Sequence, residues 1–337
     1  MALYRVCIPV TMAAICLFLS SSVTVQAAQP VQQSSNDITF GLGIGYLNGN
    51  TLYHISSYDT TGQGIESELE FPLKTFLFSI QGGYLSKDPK GRDKVKITLQ
   101  WLTSIDHGSG KLKDSDWLTN DYDIQAPPSP PNPPNSGYPH PGKDIYSESD
   151  ISLKANIIDI RGSYNNWVSD TLSVGPSGGF LYQKFQFDAS NVQQVGYGPY
   201  SPWYTVTVPG KVLTYEVTYA IPYLGVHSQI QLGHQFQTII DLGYSPWAWA
   251  DDKDDHVLRQ KVSKASTTGK AYLATATMQW NIQDNDCLQV GGQYLKIDTT
   301  GTQTQTFYDG SGLVYTGIHD KITSQQTTIT VLFSRWF

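Results

Sequence analysis

The chain has 337 residues, with 29 acidic against 22 basic side chains and a formal net charge of −7. That balance leaves no basic surface for tracking phosphates and argues against a nucleic-acid partner. Charged residues are only 15%, while 21 Tyr, 12 Phe and 8 Trp give the aromatic richness of a protein with interfacial surfaces.

The N-terminus sets the compartment. Arg5 precedes a short apolar run at 6–20, and Val25-Gln26-Ala27 offers small residues for cleavage. This pattern predicts a secretory signal peptide over 1–27 and a single exported domain over 28–337. Cys7 and Cys16 leave with the signal, and Cys287 remains alone, so no intramolecular disulfide is expected. No later segment reaches 18 continuous apolar residues, which excludes a membrane-spanning helix. An exported soluble sandwich and a closed membrane β-barrel stay open.

Taken in order, the elements read as ten strands near 37–49, 64–86, 93–107, 147–164, 171–189, 211–231, 236–250, 269–282, 287–300 and 321–337. Three stretches show the alternation most plainly. In 94–102, Val95, Ile97, Leu99 and Trp101 oppose Lys96, Thr98 and Gln100. In 150–157, Ile151, Leu153, Ala155 and Ile157 oppose Asp150, Ser152, Lys154 and Asn156. The phase then slips at Ile157-Ile158, where a bulge or a strand end is expected. In 271–282, Tyr272, Ala274, Ala276, Met278, Trp280 and Ile282 oppose Thr275, Thr277, Gln279 and Asn281. Charged side chains on an inner face are costly in a sandwich and expected in a barrel lumen. The fold class is therefore all-β: a ten-stranded antiparallel transmembrane β-barrel, polar inside and apolar towards lipid.

Short turn-like stretches at 87–92, 165–170, 232–235 and 283–286 mark one rim. Long polar segments near 50–63, 108–146, 190–210, 251–268 and 301–320 mark the other, as long extracellular loops. Residues 126–141 are proline-rich and read as a polyproline-like excursion within the second loop. The chain closes on an alternating strand ending in Phe337, a terminus suited to outer-membrane assembly machinery.

Two acidic stretches carry candidate chemistry: DSDW at 114–117 and DDKDDH at 251–256. In extended backbone, residues two apart share a face, roughly 6.5–7 Å between Cα atoms. Asp114 can therefore point with Asp116, and Asp254 with His256. A carboxylate on one imidazole nitrogen makes the other a better base, while two close carboxylates raise the proton affinity of one. The bland alternative is a pair of solvated acidic loops. A calcium loop is excluded by the missing sixth-position glycine and twelfth-position glutamate. The remaining histidines lack zinc-ligand spacing, and no metal or other cofactor is expected.

Four segments resemble one family, the omptins, ten-stranded outer-membrane endopeptidases. They are GYLNGNT at 45–51, KDSDWL at 113–118, YAIPYLG at 219–225, and YSPW at 244–247 followed by DKDDH at 252–256. The resemblance implies hydrolysis of a peptide or protein substrate by activated water, at a site facing the cell exterior. Asp254 would orient His256, His256 would act as base, and Asp114 with Asp116 would hold the water across the cleft. It also implies an acidic substrate pocket, matched by Asp252. The second acid of that pocket falls on Tyr53, so Asp251 is the neighbouring acid open to compensate. It further implies contact with outer-membrane lipid, including lipopolysaccharide, through basic side chains. Lys184 stands at one such position, and Thr218 replaces the basic residue at another. A non-catalytic barrel acting as an adhesin or surface-binding protein is the alternative. A diffusion pore fits less well, because a barrel this small is filled by side chains.

Overall fold

The computed structural model describes residues 36–58, 64–108, 110–117, 143–196, 204–283 and 285–337. The expected signal peptide at 1–27 and the proline-rich stretch at 126–141 lie outside the described residues.

The described strands are β1 (Asn36–Tyr58), β2 (Gly64–Lys87), β3 (Asp93–Ser104), β4 (Lys111–Trp117), β5 (Ile145–Tyr164) and β6 (Asn166–Trp167). They continue with β7 (Leu172–Gly196), β8 (Tyr204–Leu232), β9 (Phe236–His256), β10 (Lys261–Asn281), β11 (Asp286–Phe307) and β12 (Val314–Trp336). All pairings are antiparallel, and β1 pairs with β12 from Thr39↔Trp336 to Ser56↔His319, which closes the ring. β3 and β4 each pair with β2 and β5 at different heights, so they form one stave in two pieces. β6 is a two-residue extension beside β7. The closed sheet is therefore a barrel of ten staves, as the alternation predicts, and among the described residues each stave pairs with a neighbour on both sides.

The stave breaks between β3 and β4 because the chain turns there on Gly108, whose φ is 59°. A Cβ at Gly108 would lie 2.7 Å from the Lys74 carbonyl oxygen, so only glycine fits. Asp106 repairs the ladder, its carboxylate accepting the Phe76 N–H at 3.1 Å and the Thr75 hydroxyl.

The segments read as long loops are largely strand. Residues 50–58, 190–196, 204–210, 251–256, 261–268, 301–307 and 314–320 all belong to the barrel wall, as does DSDW on β4. Their sequences are polar outside and apolar or mixed inside, the reverse of the lipid-facing pattern, which is why they resemble loops.

The reversal is clearest on β5. Ile151, Leu153, Ala155 and Ile157 point inward and are buried, and so is Asp159 further along the same face. Pairing runs unbroken through Ile157↔Gln183 and Ile158↔Tyr182. No bulge sits there, contrary to expectation; the strand keeps its phase while its surroundings change. A one-residue bulge does occur on β9. Tyr244↔Leu224 and Trp249↔Ala220 leave five steps on β9 against four on β8, and Ser245↔Ala271 and Ala248↔Gly269 leave three on β9 against two on β10. Pro246, which has no N–H to give a ladder, sits inside it. Below the bulge Asp241 and Ser245 face inward; above it Ala248, Ala250, Asp252 and Asp254 do.

Two interiors result. Towards the termini the outer wall exposes Ile38, Phe40, Leu42, Ile44, Ile240, Leu242 and Val290. Aromatic pairs bound that band, with Phe236 stacked on Trp280 at 5.8 Å and Tyr244 against Tyr272 at 5.2 Å. Inside it, Arg161 bridges Asp159 at 2.8 Å and Asp241 at 2.9 Å, and His227 meets Asp241 at 2.7 Å. Beyond the band, the wall is polar outside and the interior is an apolar core. Phe71 stacks on Tyr215 at 4.3 Å and packs on Phe187 at 5.0 Å, while Tyr53 packs on Tyr215 at 5.4 Å.

Candidate active site

The apolar core is the floor on which the acidic residues stand. Asp114 and Asp116 continue the inward face of Leu112 on β4. Pairing Leu69↔Asp114 on one side and Asp114↔Ser147 on the other holds the strand in place. Ser115, between the two acids, accepts a hydrogen bond from the Lys143 ammonium at 2.7 Å. That ammonium also lies over the rings of Trp117 and Tyr146, at 5.6 and 4.9 Å.

Across the cleft, Asp252, Asp254 and His256 share the inward face of β9. His256 Nε2 lies 2.7 Å from Asp254 Oδ2, and the Asp254 side chain is 1% exposed. Asp254↔Ser263 and Asp254↔Tyr215 fix it between two strands. The chain leaves the wall directly after His256 in a 3-10 turn, Val257–Arg259, and re-enters at Lys261. This tight return, with Gln260 left-handed at φ 48°, replaces the long loop expected at 251–268.

The two acidic pairs feel each other. Burial raises the proton affinity of Asp114 well above the ordinary carboxyl range, and the charge of Asp116 adds to it. Arg259 opposes that rise, Asp254 reinforces it across the cleft, and Lys261 opposes it. The Arg259 guanidinium reaches to 3.7 Å from Asp116 Oδ2. Asp114 Oδ1 is buried without a hydrogen-bond partner. No hydrogen bond joins the Asp114/Asp116 pair to His256 among the described residues.

Asp252 lies deeper. Its carboxylate accepts the Ala265 N–H at 2.9 Å. Burial, Asp320 and Asp254 together raise its proton affinity. Tyr53 is 1% exposed in the aromatic floor beside Asp252, Asp254 and Asp320, and burial followed by their charges pushes its phenol well up. Asp251 is exposed on the outer wall and faces away from the cleft. It does not compensate for the tyrosine.

Asp320 does face this cluster, and motif reasoning missed it. It is 0% exposed on β12, and neither carboxylate oxygen has a hydrogen-bond partner. Burial and the charge of Asp254 push it up to about 7. The signal was alternation: Ile318, Asp320, Ile322, Ser324 and Gln326 share one buried face, so an acid between two isoleucines pointed inward. Reading 301–320 as loop hid it. Lys261, 6% exposed, was hidden in the same way. Lys184 is not brought to the site. It lies on the outer side of β7, half-exposed, in an ion pair with Glu216 at 2.8 Å, and Thr218 stands across from it.

A closed ten-stave barrel with this cleft invites comparison with known proteins. The model of the omptin family matches residues 34–334. A plasminogen activator from Yersinia pestis is 25% identical over 308 residues, covering 89% of each chain. The crystal structure of the outer membrane protease OmpT from Escherichia coli superposes with a TM-score of 0.72 at 14% identity, over 92% of this chain and 99% of that one. With the family match running through nearly the whole described barrel, the chain belongs to the omptin family.

Proposed function

We propose that this protein is an outer-membrane endopeptidase that cuts peptide bonds with a water held between His256 and the Asp114/Asp116 pair. The observation that carries the reading is the 2.7 Å contact of His256 Nε2 with the buried Asp254 carboxylate. It leaves Nδ1 as the free ring nitrogen, so Nδ1 is the base that takes the water proton. Asp254 steadies the imidazolium that forms. Across the cleft, the raised proton affinity of Asp114 keeps a proton available to the departing amine. The related protease and plasminogen activator support a protein or peptide substrate.

Asp252 and Asp320 favour a basic side chain beside the cut bond. Two buried carboxylates facing one another are stabilised by a guanidinium or ammonium between them. Asp320 thereby supplies from β12 the acid that Tyr53 lacks. The cleft faces the exterior, because short turns and both barrel termini occupy the opposite rim. Lys184, just above the apolar band, would meet outer-leaflet headgroups, including lipopolysaccharide, with Glu216 as its competitor.

The test is cleavage of a peptide library by protein refolded into lipid. His256→Ala and Asp254→Asn are each expected to lower kcat about 10²–10⁴-fold. Adhesion to matrix proteins that survives His256→Ala, with no peptide cut by wild type, would establish the non-catalytic alternative instead.

A further inference from the structure

Peptide hydrolysis by water needs a base, an acid and something to hold the charge that builds on the carbonyl oxygen. The carboxylates and the imidazole serve the first two needs and repel the third, because an oxyanion among aspartates is unfavourable. A cation facing the cleft is required, and among the described residues three lie near the acidic pairs. Lys143 is committed to Ser115 Oγ at 2.7 Å and to two aromatic rings. Arg259 stands 3.7 Å from Asp116, with its side chain 52% exposed.

The third is Lys261. It pairs in register with His256 across the β9–β10 ladder, so the two side chains project to the same inner face. It is 6% exposed, and among the described residues no carboxylate lies within ion-pair distance of its ammonium. A buried lysine without a partner is expensive. The groups whose charge bears on it are Asp254 on its own side, Arg259 on the adjoining turn, and Asp116 and Asp114 opposite. The ammonium thus feels the charge of both acidic pairs.

We propose that Lys261 is a catalytic residue, its ammonium donating a hydrogen bond to the carbonyl oxygen of the bond being cut. The inference rests on the Asp254–His256 reading above. In the step, the water oxygen bonds to the carbonyl carbon while its proton passes to His256 Nδ1. The π pair of the C=O moves onto oxygen, where the Lys261 N–H holds it. On collapse that pair re-forms C=O, the C–N bond breaks, and the amine leaves with a proton from the Asp114/Asp116 pair or the imidazolium. Within a water-poor cleft such a donor acts more strongly than in solvent.

The experiment compares wild type, Lys261→Met, Lys261→Gln and Lys261→Arg, refolded in lipid and matched by thermal melting. It uses one quenched peptide that wild type cleaves and a phosphonate isostere of that peptide as mimic of the water adduct. Lys261→Met is expected to lower kcat about 10²-fold. Its KM should stay within about threefold, because the contact strengthens mainly as charge builds on the carbonyl oxygen. Phosphonate affinity should fall by the same factor as kcat/KM, and Lys261→Arg should recover part of both. Lys261→Gln reads the same outcome if the methionine variant does not fold. Three results overturn the proposal: unchanged kcat, a loss confined to KM, or an intact plateau with only the acid limb of the pH profile displaced. The last would make Lys261 a tuner of the aspartates. Loss of activity in His256→Ala with none in the Lys261 variants would overturn this inference and leave the dyad standing. A wild type that cuts no peptide overturns both.

Discussion

The band near the termini and the half beyond it are built from the same strands with opposite chemistry. On β1, Ile38, Phe40, Leu42 and Ile44 point outward below, whereas Leu47 and Tyr53 point inward above. On β5 the buried face runs from Ile151 and Leu153 to Asp159 and Ser163. Each stave is continuous, so the change lies in what surrounds it. In lipid, the outer face must be apolar and the lumen must pair its own polar groups. In water, the outer face is polar and the lumen can be an ordinary apolar core. That core gives the distal half a low-dielectric floor under Asp114, Asp252 and Asp320, where a carboxyl is costly to ionise. In the band, by contrast, Asp159 and Asp241 share the Arg161 guanidinium, His227 lies 2.7 Å from Asp241, and Lys96 lines the same cavity of about 110 Å³. The band neutralises its charges; the distal half keeps its acids in excess.

The largest test of that contrast removes the cation from the balanced interior. Arg161→Leu removes the guanidinium that Asp159 and Asp241 share and should cost about 3–5 kcal/mol of barrel stability. Neutralising Asp159 and Asp241 to asparagine in the same chain should recover most of it. Phe71→Ala in the distal core should cost a similar ~3–5 kcal/mol through its cavity, with no rescue by charge removal. Equilibrium unfolding in lipid reads all of these. If the Arg161 loss is not relieved by the asparagines, the band is held by packing and the contrast fails.

The outer walls offer the next test. Ile240 lies midway along β9 between Phe236 and Tyr244, on the lipid side. Ile240→Arg should cost roughly 2–4 kcal/mol, the penalty of a charge near the bilayer midplane. Asp251→Arg, on the same outer wall beyond the band, should change stability by less than about 0.5 kcal/mol. Equal costs would place both positions in one environment.

This contrast also decides what could be read from the sequence. Ten staves were legible because alternation persists through both halves and Gly, Pro and Asn-rich turns punctuate them. Their length was not, because only apolar-outward alternation was counted as barrel wall. In 150–157 that rule assigned Ile151, Leu153, Ala155 and Ile157 to lipid, and they face the core instead. It turned a change of solvent at Ile157-Ile158 into an expected bulge, while the true bulge at Pro246 carried a proline signal that went unread. For the site, Asp114, Asp116, Asp254 and His256 stood out because spacing and motif mark them together. Asp320 and Lys261 are single charges without a motif. Their meaning comes from burial and cross-barrel neighbours, which no local pattern records.

Asp320 gives the predicted effect most specific to the unbalanced interior. Its carboxyl is raised from 3.8 to about 7 in the folded chain. Between those values the folded protein keeps a proton that the unfolded chain has released. Stability should therefore fall as pH rises through that window, and Asp320→Asn should flatten the slope. A basic substrate side chain reverses the preference locally, since it favours the ionised form. Discrimination between an Arg peptide and its Met counterpart should then rise with pH through about 7 in wild type, by roughly tenfold. The same ratio should rise less steeply in Asp320→Asn, because Asp252 alone remains and loses the charge of Asp320 that helps to raise it. Measuring kcat/KM for the two peptides across that range separates the readings. An unchanged slope in the variant would show that Asp320 is buried beside the pocket without taking part in it.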